Sequence, residues 1–333
     1  MATRRPPLYS MQAGRRRRRR LPAVSPLRAV LVILLVVFIA AAAVVVWRVL
    51  PLTDRSAGVI PPSALTGVVP QSPGNGTNDV SSPLNAAGAS TRALPGVHVA
   101  AGIVVDAGSG RVLWSHRPHA RRPIASLTKL MTALLSERGG SINRRFVVTP
   151  AMTGETGFTI GLHAGSKVSL HDMLAAMLIA SANDAADALA VHTAGSVKAF
   201  VRQMNHEARK LKLSDTHYSN PSGIIDAGNH SSAWDVADVS RQVLAVGPLR
   251  RLVSAKFYRP ASGAPYVNRN QLLWTYPDAG GIKTGQTTPA GNCLAASATR
   301  GGHTLIAVLL GAGGSEFAAA SRMLNWGFHK VAK

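Results

Sequence analysis

An uncharged apolar run near the amino terminus constrains this chain more than any other feature. Residues 29–47 comprise 19 residues without a charged side chain. A helix of that length spans about 30 Å, which matches the hydrocarbon core of a bilayer. The run predicts a transmembrane helix over residues 29–50, with a cleaved signal sequence as the alternative. The small residues Ala40–Ala43 could form a cleavage site, but such a site needs polar neighbours. Apolar residues 44–46 follow them instead, so the pattern favours an uncleaved anchor.

A block of arginines precedes the apolar run and sets its predicted orientation. Nine arginines and no acidic residue lie within residues 1–28, in a chain whose net charge is +22. Basic residues beside a membrane span stay on the cytoplasmic side. We therefore expect a single-pass protein of the cell membrane, with a cytoplasmic amino terminus and an extracytoplasmic body. Contact with anionic lipid explains the block, and a nucleic-acid-binding arm is the alternative that this position disfavours, so no nucleic-acid partner is predicted.

The rest of the chain divides at a change of composition. Residues 51–94 are rich in Pro, Ser, Gly and Asn without periodicity, which predicts an extended linker. Residues 95–333 should form the functional domain. The single cysteine, Cys293, excludes an intramolecular disulfide and a multi-cysteine metal site. None of the 11 histidines stands in a His-Glu-x-x-His pattern, so neither a metal nor a cofactor is predicted.

Hydrophobic periodicity predicts an α/β domain. Two apolar or alternating runs around residues 106–110 predict a β-hairpin at its start. Helical patterns follow between residues 123 and 211, three strand patterns lie after Gly281, and a helical pattern over 315–328 closes the chain. We therefore expect an antiparallel sheet flanked by helices, with an all-helical insertion between the first hairpin and the later strands.

The sequence Ser126-Leu127-Thr128-Lys129 opens the first helical pattern. A spacing of three residues places Ser126 and Lys129 on one face of a helix, about one turn apart. A serine is a weak nucleophile until a base removes its proton, and a buried neutral lysine can remove it. A capping serine beside a solvated lysine is the alternative for this motif taken alone.

Two Ser-x-Asn triplets, at 141–143 and 181–183, could complete such a site. The first lies in the loop that leaves the helix of Lys129, from which a return to Ser126 would be awkward. The second lies between two predicted helices, where a tight connection can project Ser181 and Asn183 into a cleft. We therefore select the second triplet, although a helix cap also explains such a triplet on its own.

The triplet Lys283-Thr284-Gly285 lies within the first of the later strands. Lysine and threonine at a sheet edge can bind a ligand, and the glycine would leave room for a substrate backbone alongside. An ordinary exposed strand is the alternative for this triplet alone. The order Ser-x-x-Lys, Ser-x-Asn, Lys-Thr-Gly changes the interpretation, because it is close to the motif set of penicillin-binding proteins and class A β-lactamases.

The local sequences are more specific than the three motifs. The segments concerned are Ala125–Thr132, Ser181–Ala185, Asn220–Gly223, Ser231–Ala233, Gly281–Gly285 and Ala295–Thr299. Through them, residues 95–328 resemble the low-molecular-mass D-alanyl-D-alanine carboxypeptidases, which are penicillin-binding proteins with a β-lactamase/transpeptidase-like fold. The resemblance implies removal of the terminal D-Ala from peptidoglycan stem peptides through an acyl-enzyme. It also implies acylation by β-lactam antibiotics such as penicillin.

The resemblance implies catalytic roles for three side chains. Ser126 is the implied nucleophile, and Lys129 is the base that takes its proton. Ser181 would take part in proton transfer, and Asn183 would help to bind the substrate. These residues match the family motifs position by position.

The resemblance implies substrate-binding roles for the strand motif. Lys283 and Thr284 would bind the carboxylate end of the substrate, with Gly285 beside them. The backbone N–H groups of Ser126 and Gln286 would form an oxyanion hole.

Two departures from the family pattern concern the carboxylate end. Gln286 stands where the family often has histidine, and Glu316 stands where an arginine commonly helps to hold the terminal carboxylate. The carboxylate would then depend on the strand motif and Thr287, with help from Arg322.

A class A-like β-lactamase and a non-catalytic cell-wall-binding protein on the same fold are the alternative functions. A class A β-lactamase usually has aspartate in the middle of the second triplet, where this chain has Ala182. The intact Ser126, Lys129 and Lys283 argue against a non-catalytic protein.

Overall fold

The chain is described by a computed structural model, which covers Val80 and residues 82–138, 141–154, 157–224, 228–261 and 263–332. The predicted basic segment, the transmembrane anchor and most of the linker lie outside these residues. Within the covered ranges, none of the helices is both long and apolar enough to cross a bilayer.

A five-stranded antiparallel sheet forms the centre of the described domain. The strands of the domain are β1 (Val99–Asp106), β2 (Val112–His116), β3 (Arg145–Val147), β4 (Lys167–Ser169), β5 (Phe257–Tyr258), β6 (Tyr266–Val267), β7 (Ala279–Thr287), β8 (Gly291–Arg300) and β9 (His303–Ala312). The central sheet has the order β2-β1-β9-β8-β7, so β2 and β7 are its edges. The predicted first hairpin is confirmed as β1 and β2, and the three predicted later strands are confirmed as β7 to β9.

Helices cover both faces of this sheet. The helices of the described residues are α1 (Lys129–Glu137), α2 (Leu170–Ala175), α3 (Asn183–Ala194), α4 (Val197–Lys210), α5 (Ala233–Ala245), α6 (Gly247–Ser254), α7 (Leu272–Thr275) and α8 (Glu316–Val331). A π-helical turn, Ala176–Ala180, continues α2. The predicted closing helix is confirmed as α8, which Ser315 caps by accepting a hydrogen bond from the Ala318 N–H.

Alternate residues of the central strands face two separate helical layers. Ile103 of β1 and Val308 of β9 belong to the cluster formed with α1, α3 and α5. Val104 and Leu309, one position along each strand, belong to the cluster that includes Leu324 of α8. This period of two is what a sheet covered on both faces requires. The predicted α/β architecture, an antiparallel sheet flanked by helices, is confirmed.

The prediction of an all-helical insertion is wrong. Two short hairpins, β3–β4 and β5–β6, lie among the helices between β2 and β7. Their strands are two or three residues long, too short to show a period of two in the sequence. The sequence patterns also leave out α5 and α6, although Ser232 caps α5 by accepting a hydrogen bond from the Asp235 N–H.

The folded domain begins earlier than the predicted boundary at residue 95. The Asn85 N–H donates to the Gly110 carbonyl at 3.0 Å, and the Ser90 N–H donates to the Leu113 carbonyl at 2.9 Å. Residues 82–94 therefore pack along the outer side of β2 and do not belong to the linker predicted over 51–94. The physical reason is that an edge strand presents unpaired backbone groups, which this segment satisfies.

Arg241 of α5 fixes the beginning of this packed segment. Its side chain is 1% exposed, with Nε donating to the Ala107 carbonyl at 2.9 Å and Nη1 donating to the Ser82 carbonyl at 2.9 Å. A buried guanidinium needs such acceptors, because an unpaired buried charge loses its hydration at a cost of roughly several kcal/mol. The contact joins residue 82 to the turn after β1.

Candidate active site

A 3₁₀-helical turn ahead of α1 holds Ser126 beside the edge of the sheet. The turn comprises Ala125–Thr128 and leads directly into α1, whose first residue is Lys129. Ala125 has a φ of 48°, a left-handed conformation that costs a residue with a side chain roughly 1–2 kcal/mol. Such a conformation persists only where the surrounding structure holds it in place.

Two glycines make room for this turn. A Cβ atom on Gly223 would overlap the Ala125 carbonyl oxygen, so no larger residue fits there. A Cβ atom on Gly285 of β7 would lie 3.1 Å from the Ser126 nitrogen and 3.0 Å from the Ile124 carbonyl oxygen. The missing side chain of Gly285 therefore makes room for the chain's own backbone, which corrects the expectation that it makes room for a substrate. The same approach places β7 directly against Ser126.

Lys129 connects three segments of the site. Its side chain is fully buried, and Nζ lies 3.0 Å from Ser126 Oγ, 2.9 Å from Asn183 Oδ1 and 2.6 Å from the Ser222 carbonyl oxygen. The amide and carbonyl oxygens only accept hydrogen bonds, whereas a hydroxyl both donates and accepts. A neutral amine has two N–H groups for those two oxygens and a lone pair for the Ser126 proton. The arrangement is therefore suited to a lysine base.

The second Ser-x-Asn triplet occupies the connection between α2 and α3. Ser181 ends the π-helical turn with a φ of 69°, and Asn183 is the first residue of α3. Both side chains are buried. Ser141 and Asn143 of the first triplet are exposed in the loop before β3. The structure thus brings the selected triplet to Lys129.

Lys283 forms a second serine–lysine contact. Its Nζ donates to Ser181 Oγ at 3.0 Å and to the Thr284 carbonyl at 3.1 Å. Burial, with a smaller contribution from the positive charge of Arg269, lowers the pKa of Lys283 to about 7. At neutral pH this amine therefore populates both its charged and its neutral form. Such a group can hold an anion or move a proton.

The outer edge of β7 borders these groups. Thr284 is half-buried and Gln286 is exposed. The strand pairs only with β8 among the described strands, so its other side is free to pair with an extended ligand.

Two groups at this site carry no signal in the sequence. The Ser222 carbonyl accepts a hydrogen bond from Lys129 at 2.6 Å; the Asn-Pro-Ser-Gly segment contributes to the family resemblance, but a backbone acceptor in it has no side-chain pattern of its own. Arg269 lies 14 residues before Lys283 in a loop without periodicity, so its position near that amine follows from the fold alone.

The expectation that Arg322 helps at the carboxylate end is wrong. Its guanidinium packs against Gly96, ahead of β1, with Nε 3.0 Å from the position of a Cβ atom. Three strand spacings, about 14 Å, separate β1 from β7 in the sheet. Arg122 lies nearer to β7 than Arg322 does. Its Nη2 is 3.1 Å from the position that a Cβ atom on Gly311 of β9 would take, and β9 is two strand spacings from β7.

A half-buried serine that contacts a buried lysine beside a sheet edge is an arrangement that suits a serine nucleophile of the acyl-transfer class. Residues 88–314 match the sequence family peptidase S11, described as D-alanyl-D-alanine carboxypeptidase, and the chain belongs to this family. The family predicted from the motifs is thereby confirmed.

Similar proteins agree with this assignment. The chain is 34% identical over 250 residues to the D-alanyl-D-alanine carboxypeptidase DacD of Escherichia coli K12, covering 70% of this chain and 64% of DacD. It is similar to the structure of a D-alanyl-D-alanine carboxypeptidase from Mycobacterium tuberculosis H37Rv, with a TM-score of 0.69, 28% identity, and coverage of 72% and 95%. It is also similar to ampicillin-bound penicillin-binding protein D2 of Listeria monocytogenes, with a TM-score of 0.64, 28% identity, and coverage of 70% and 99%. The chain spans 61 to 64% of the length of three curated carboxypeptidase relatives.

Proposed function

We propose that this protein is a serine D-alanyl-D-alanine carboxypeptidase that removes the terminal D-Ala from peptidoglycan stem peptides. The observation that carries the proposal is the position of Lys129 Nζ, 3.0 Å from Ser126 Oγ and held by two further acceptors. Membership of the family supports the substrate class.

Acylation begins at Ser126. Its Oγ attacks the carbonyl carbon of the penultimate D-Ala, and its proton passes to Lys129 Nζ. The carbonyl oxygen gains negative charge, which the backbone N–H groups of Ser126 and Gln286 would stabilise as an oxyanion hole. The contact between Gly285 and the Ser126 nitrogen supports this placement, because it brings β7 to the nucleophile.

Release of D-Ala requires a proton on the leaving nitrogen. Ser181 Oγ can donate its proton and regain one from Lys283 Nζ, which lies 3.0 Å away. When the C–N bond breaks, D-Ala leaves with that proton and the acyl group stays on Ser126. Water then attacks the ester, and one of its protons passes through Ser181 back to Lys283. Lys129 returns its proton to Ser126 Oγ as the ester bond breaks, which frees the shortened peptide and restores the Ser126 hydroxyl.

The free edge of β7 would hold the substrate. Lys283 and Thr284 would bind its terminal carboxylate, and Asn183 would orient the peptide while it also accepts a hydrogen bond from Lys129. A carboxylate beside Lys283 favours the charged amine, so substrate binding and the protonation of Lys283 are coupled.

β-Lactam antibiotics would acylate the same serine, because their strained amide presents a carbonyl carbon to Ser126 in place of the peptide. The similarity to an ampicillin-bound penicillin-binding protein supports this partner. Neither a β-lactamase nor a non-catalytic wall-binding protein gains support from the family match.

The proposed location is the cell membrane, with a single span, a cytoplasmic amino terminus and an extracytoplasmic domain. The support is the uncharged run 29–47 and the nine arginines before it. Protease added from outside should cut the linker and release a body that begins near residue 82. Full-length protein in the soluble fraction, or a mature amino terminus after Ala43, would contradict the anchor.

The enzymatic test is D-Ala release from a synthetic pentapeptide that ends in D-Ala-D-Ala. We expect release by the wild type and none above background by Ser126→Ala. Ser141→Ala is the matched control, because Ser141 is an exposed serine of the unselected triplet. Equal release by Ser126→Ala and the wild type would remove Ser126 from the mechanism.

A further inference from the structure

The β5–β6 hairpin exposes an apolar pair. Phe257 and Val267 are cross-strand partners, and each is 61% exposed. The next pair, Tyr258 with Tyr266, is half-buried and packs on the core. Two large apolar side chains that meet on the solvent side form a local patch rather than a scattered exposed residue.

This apolar pair continues into a cationic and aromatic contact. Arg269 follows Val267 by two residues and is exposed like it, whereas Asn268 between them is buried, so Val267 and Arg269 share a side of the chain. The Arg269 guanidinium lies 4.4 Å from the centre of the Phe158 ring, and Phe158 is 43% exposed. We call the set of Phe257, Val267, Arg269 and Phe158 the hairpin strip.

The hairpin strip reaches the catalytic groups at its inner end. The Asn183 N–H donates to the Phe158 carbonyl at 2.8 Å. Arg269 is also near enough to Lys283 for its charge to act on that amine. The strip is therefore continuous with the site that holds Ser126 and Lys129.

The sequence around the hairpin is basic, although Asp172 of α2 accepts a hydrogen bond from Tyr258 Oη at 2.8 Å. Residues 239–277 contain six Lys and Arg residues and no Asp or Glu. Lys256 and Arg259, which flank Phe257, are exposed. Among the residues that the structure describes, no carboxylate forms an ion pair with Arg269. An unpaired guanidinium beside apolar side chains suits an anionic ligand with aliphatic parts.

We propose that the hairpin strip binds the part of the substrate peptide upstream of the scissile D-Ala-D-Ala bond, and that Arg269 selects peptides with a carboxylate there. This inference rests on the proposed carboxypeptidase function. An extended peptide advances about 3.3 Å per residue, so two or three upstream residues can reach from the nucleophile onto the strip. Continuity with Asn183, the residue proposed to orient the peptide, favours a peptide over a membrane surface.

The charge selection is tested in Ser126→Ala protein, so that binding is measured without turnover. The probes are two fluorescein-labelled peptides that end in D-Ala-D-Ala and differ only in an upstream D-glutamyl or D-glutaminyl residue. We expect the D-glutamyl peptide to bind about tenfold more tightly, and Arg269→Gln to remove that preference. Equal affinities in the starting protein, or a preference that survives Arg269→Gln, would overturn the proposal.

The apolar part is tested by combining Phe257→Ser and Val267→Ser in the same background. Both peptides should bind about tenfold more weakly. The matched control is Val147→Ser, which removes a 52% exposed valine from the other hairpin and should leave both affinities unchanged. If the double variant keeps its peptide affinity but loses binding to phosphatidylglycerol-containing vesicles, the strip is a membrane contact and the proposal is wrong.

Labelling of the wild type by a fluorescent penicillin separates this inference from the function on which it rests. Peptide selectivity without labelling would contradict the proposed function and leave the hairpin strip supported as a binding site. Labelling without peptide selectivity would contradict the hairpin strip alone.

Discussion

Lys283 Nζ lies 3.0 Å from Ser181 Oγ, although the two residues are 102 positions apart in the chain. Both side chains are nearly inaccessible, at 2% and 7% exposure. The contact joins the edge strand β7 to the connection between α2 and α3. It sets a second serine–lysine pair beside that of Ser126 and Lys129, and it adds a group that changes charge near neutral pH.

The first prediction concerns the pH dependence of stability. Burial, with Arg269 nearby, lowers the pKa of Lys283 from 10.5 to about 7 in the folded protein. Between these two values the unfolded chain binds more protons, so the free energy of unfolding rises with pH across this window. Below about pH 7 the full cost of the buried charge is present. The free energy of unfolding of Lys283→Met should therefore exceed that of the wild type most at pH 6 and least near pH 10, as measured by urea unfolding.

The control for this prediction is Lys167→Met, which removes an exposed lysine of β4. Its difference from the wild type should not vary with pH. A stability difference for Lys283→Met that stays constant from pH 6 to pH 10 would show that Lys283 keeps an ordinary pKa.

The second prediction concerns the partner of Lys129. Asn183→Ala removes the amide oxygen that lies 2.9 Å from Lys129 Nζ, so the amine is no longer held with its lone pair towards Ser126. We expect the rate constant for penicillin acylation to fall by about 10- to 100-fold, part of what a general base contributes. Asn143→Ala, the matched change in the exposed triplet, should acylate at the wild-type rate. An equal fall of the acylation rate constant in the two variants would show that Asn183 does not act through Lys129.

The third prediction concerns the turn that carries Ser126. Gly223 and Gly195 both have a positive φ, at 76° and 78°. A Cβ atom at Gly223 would overlap the Ala125 carbonyl oxygen, whereas Gly195 has no neighbour within 4 Å of that position. Gly195→Ala should cost roughly 1–2 kcal/mol for the backbone conformation alone. Gly223→Ala should cost more in urea unfolding and should also slow penicillin labelling. Similar losses of unfolding free energy in the two variants would mean that the turn at Ala125 can shift to accept a Cβ atom on Gly223.

The fourth prediction concerns Glu316, the first residue of α8. An arginine there would add a cation near the end of β9, where Arg122 already approaches Gly311, while Lys283 and Thr284 of β7 are proposed to hold the substrate carboxylate. Glu316→Arg should raise D-Ala release from a small peptide more than it raises penicillin acylation, because the strained ring of penicillin depends less on that hold. Glu137→Arg, the same charge change on α1, should alter neither rate. Equal effects of Glu316→Arg on both rates would show that position 316 does not serve the carboxylate.

Much of the fold is readable from the sequence where elements are long and periodic. The continuous buried runs of β8 and β9 and the capped helix α8 are visible as patterns, because packing on a core imposes them locally. The hairpins β3–β4 and β5–β6 are not visible, since strands of two or three residues carry no period. Residues 82–94 look like linker because their order comes from backbone pairing with β2.

The candidate site divides in the same way. The three motifs identify Ser126, Lys129 and Lys283, because chemistry fixes those residue types at those spacings. The Ser222 carbonyl has no side-chain signature, although it accepts a hydrogen bond from Lys129 at 2.6 Å. Arg269 reaches Lys283 only through the folded path of the loop between β6 and α7, which no local pattern encodes.

The most direct test of the central claim is to locate the acyl group after reaction with penicillin. The protein is incubated with benzylpenicillin, digested, and its peptides are weighed by mass spectrometry. The account predicts a single penicilloyl group on the peptide that contains Ser126, its absence in Ser126→Ala and its presence in Ser141→Ala. An acyl group on any other residue, or wild-type labelling of Ser126→Ala, would contradict the assignment of Ser126 as the nucleophile.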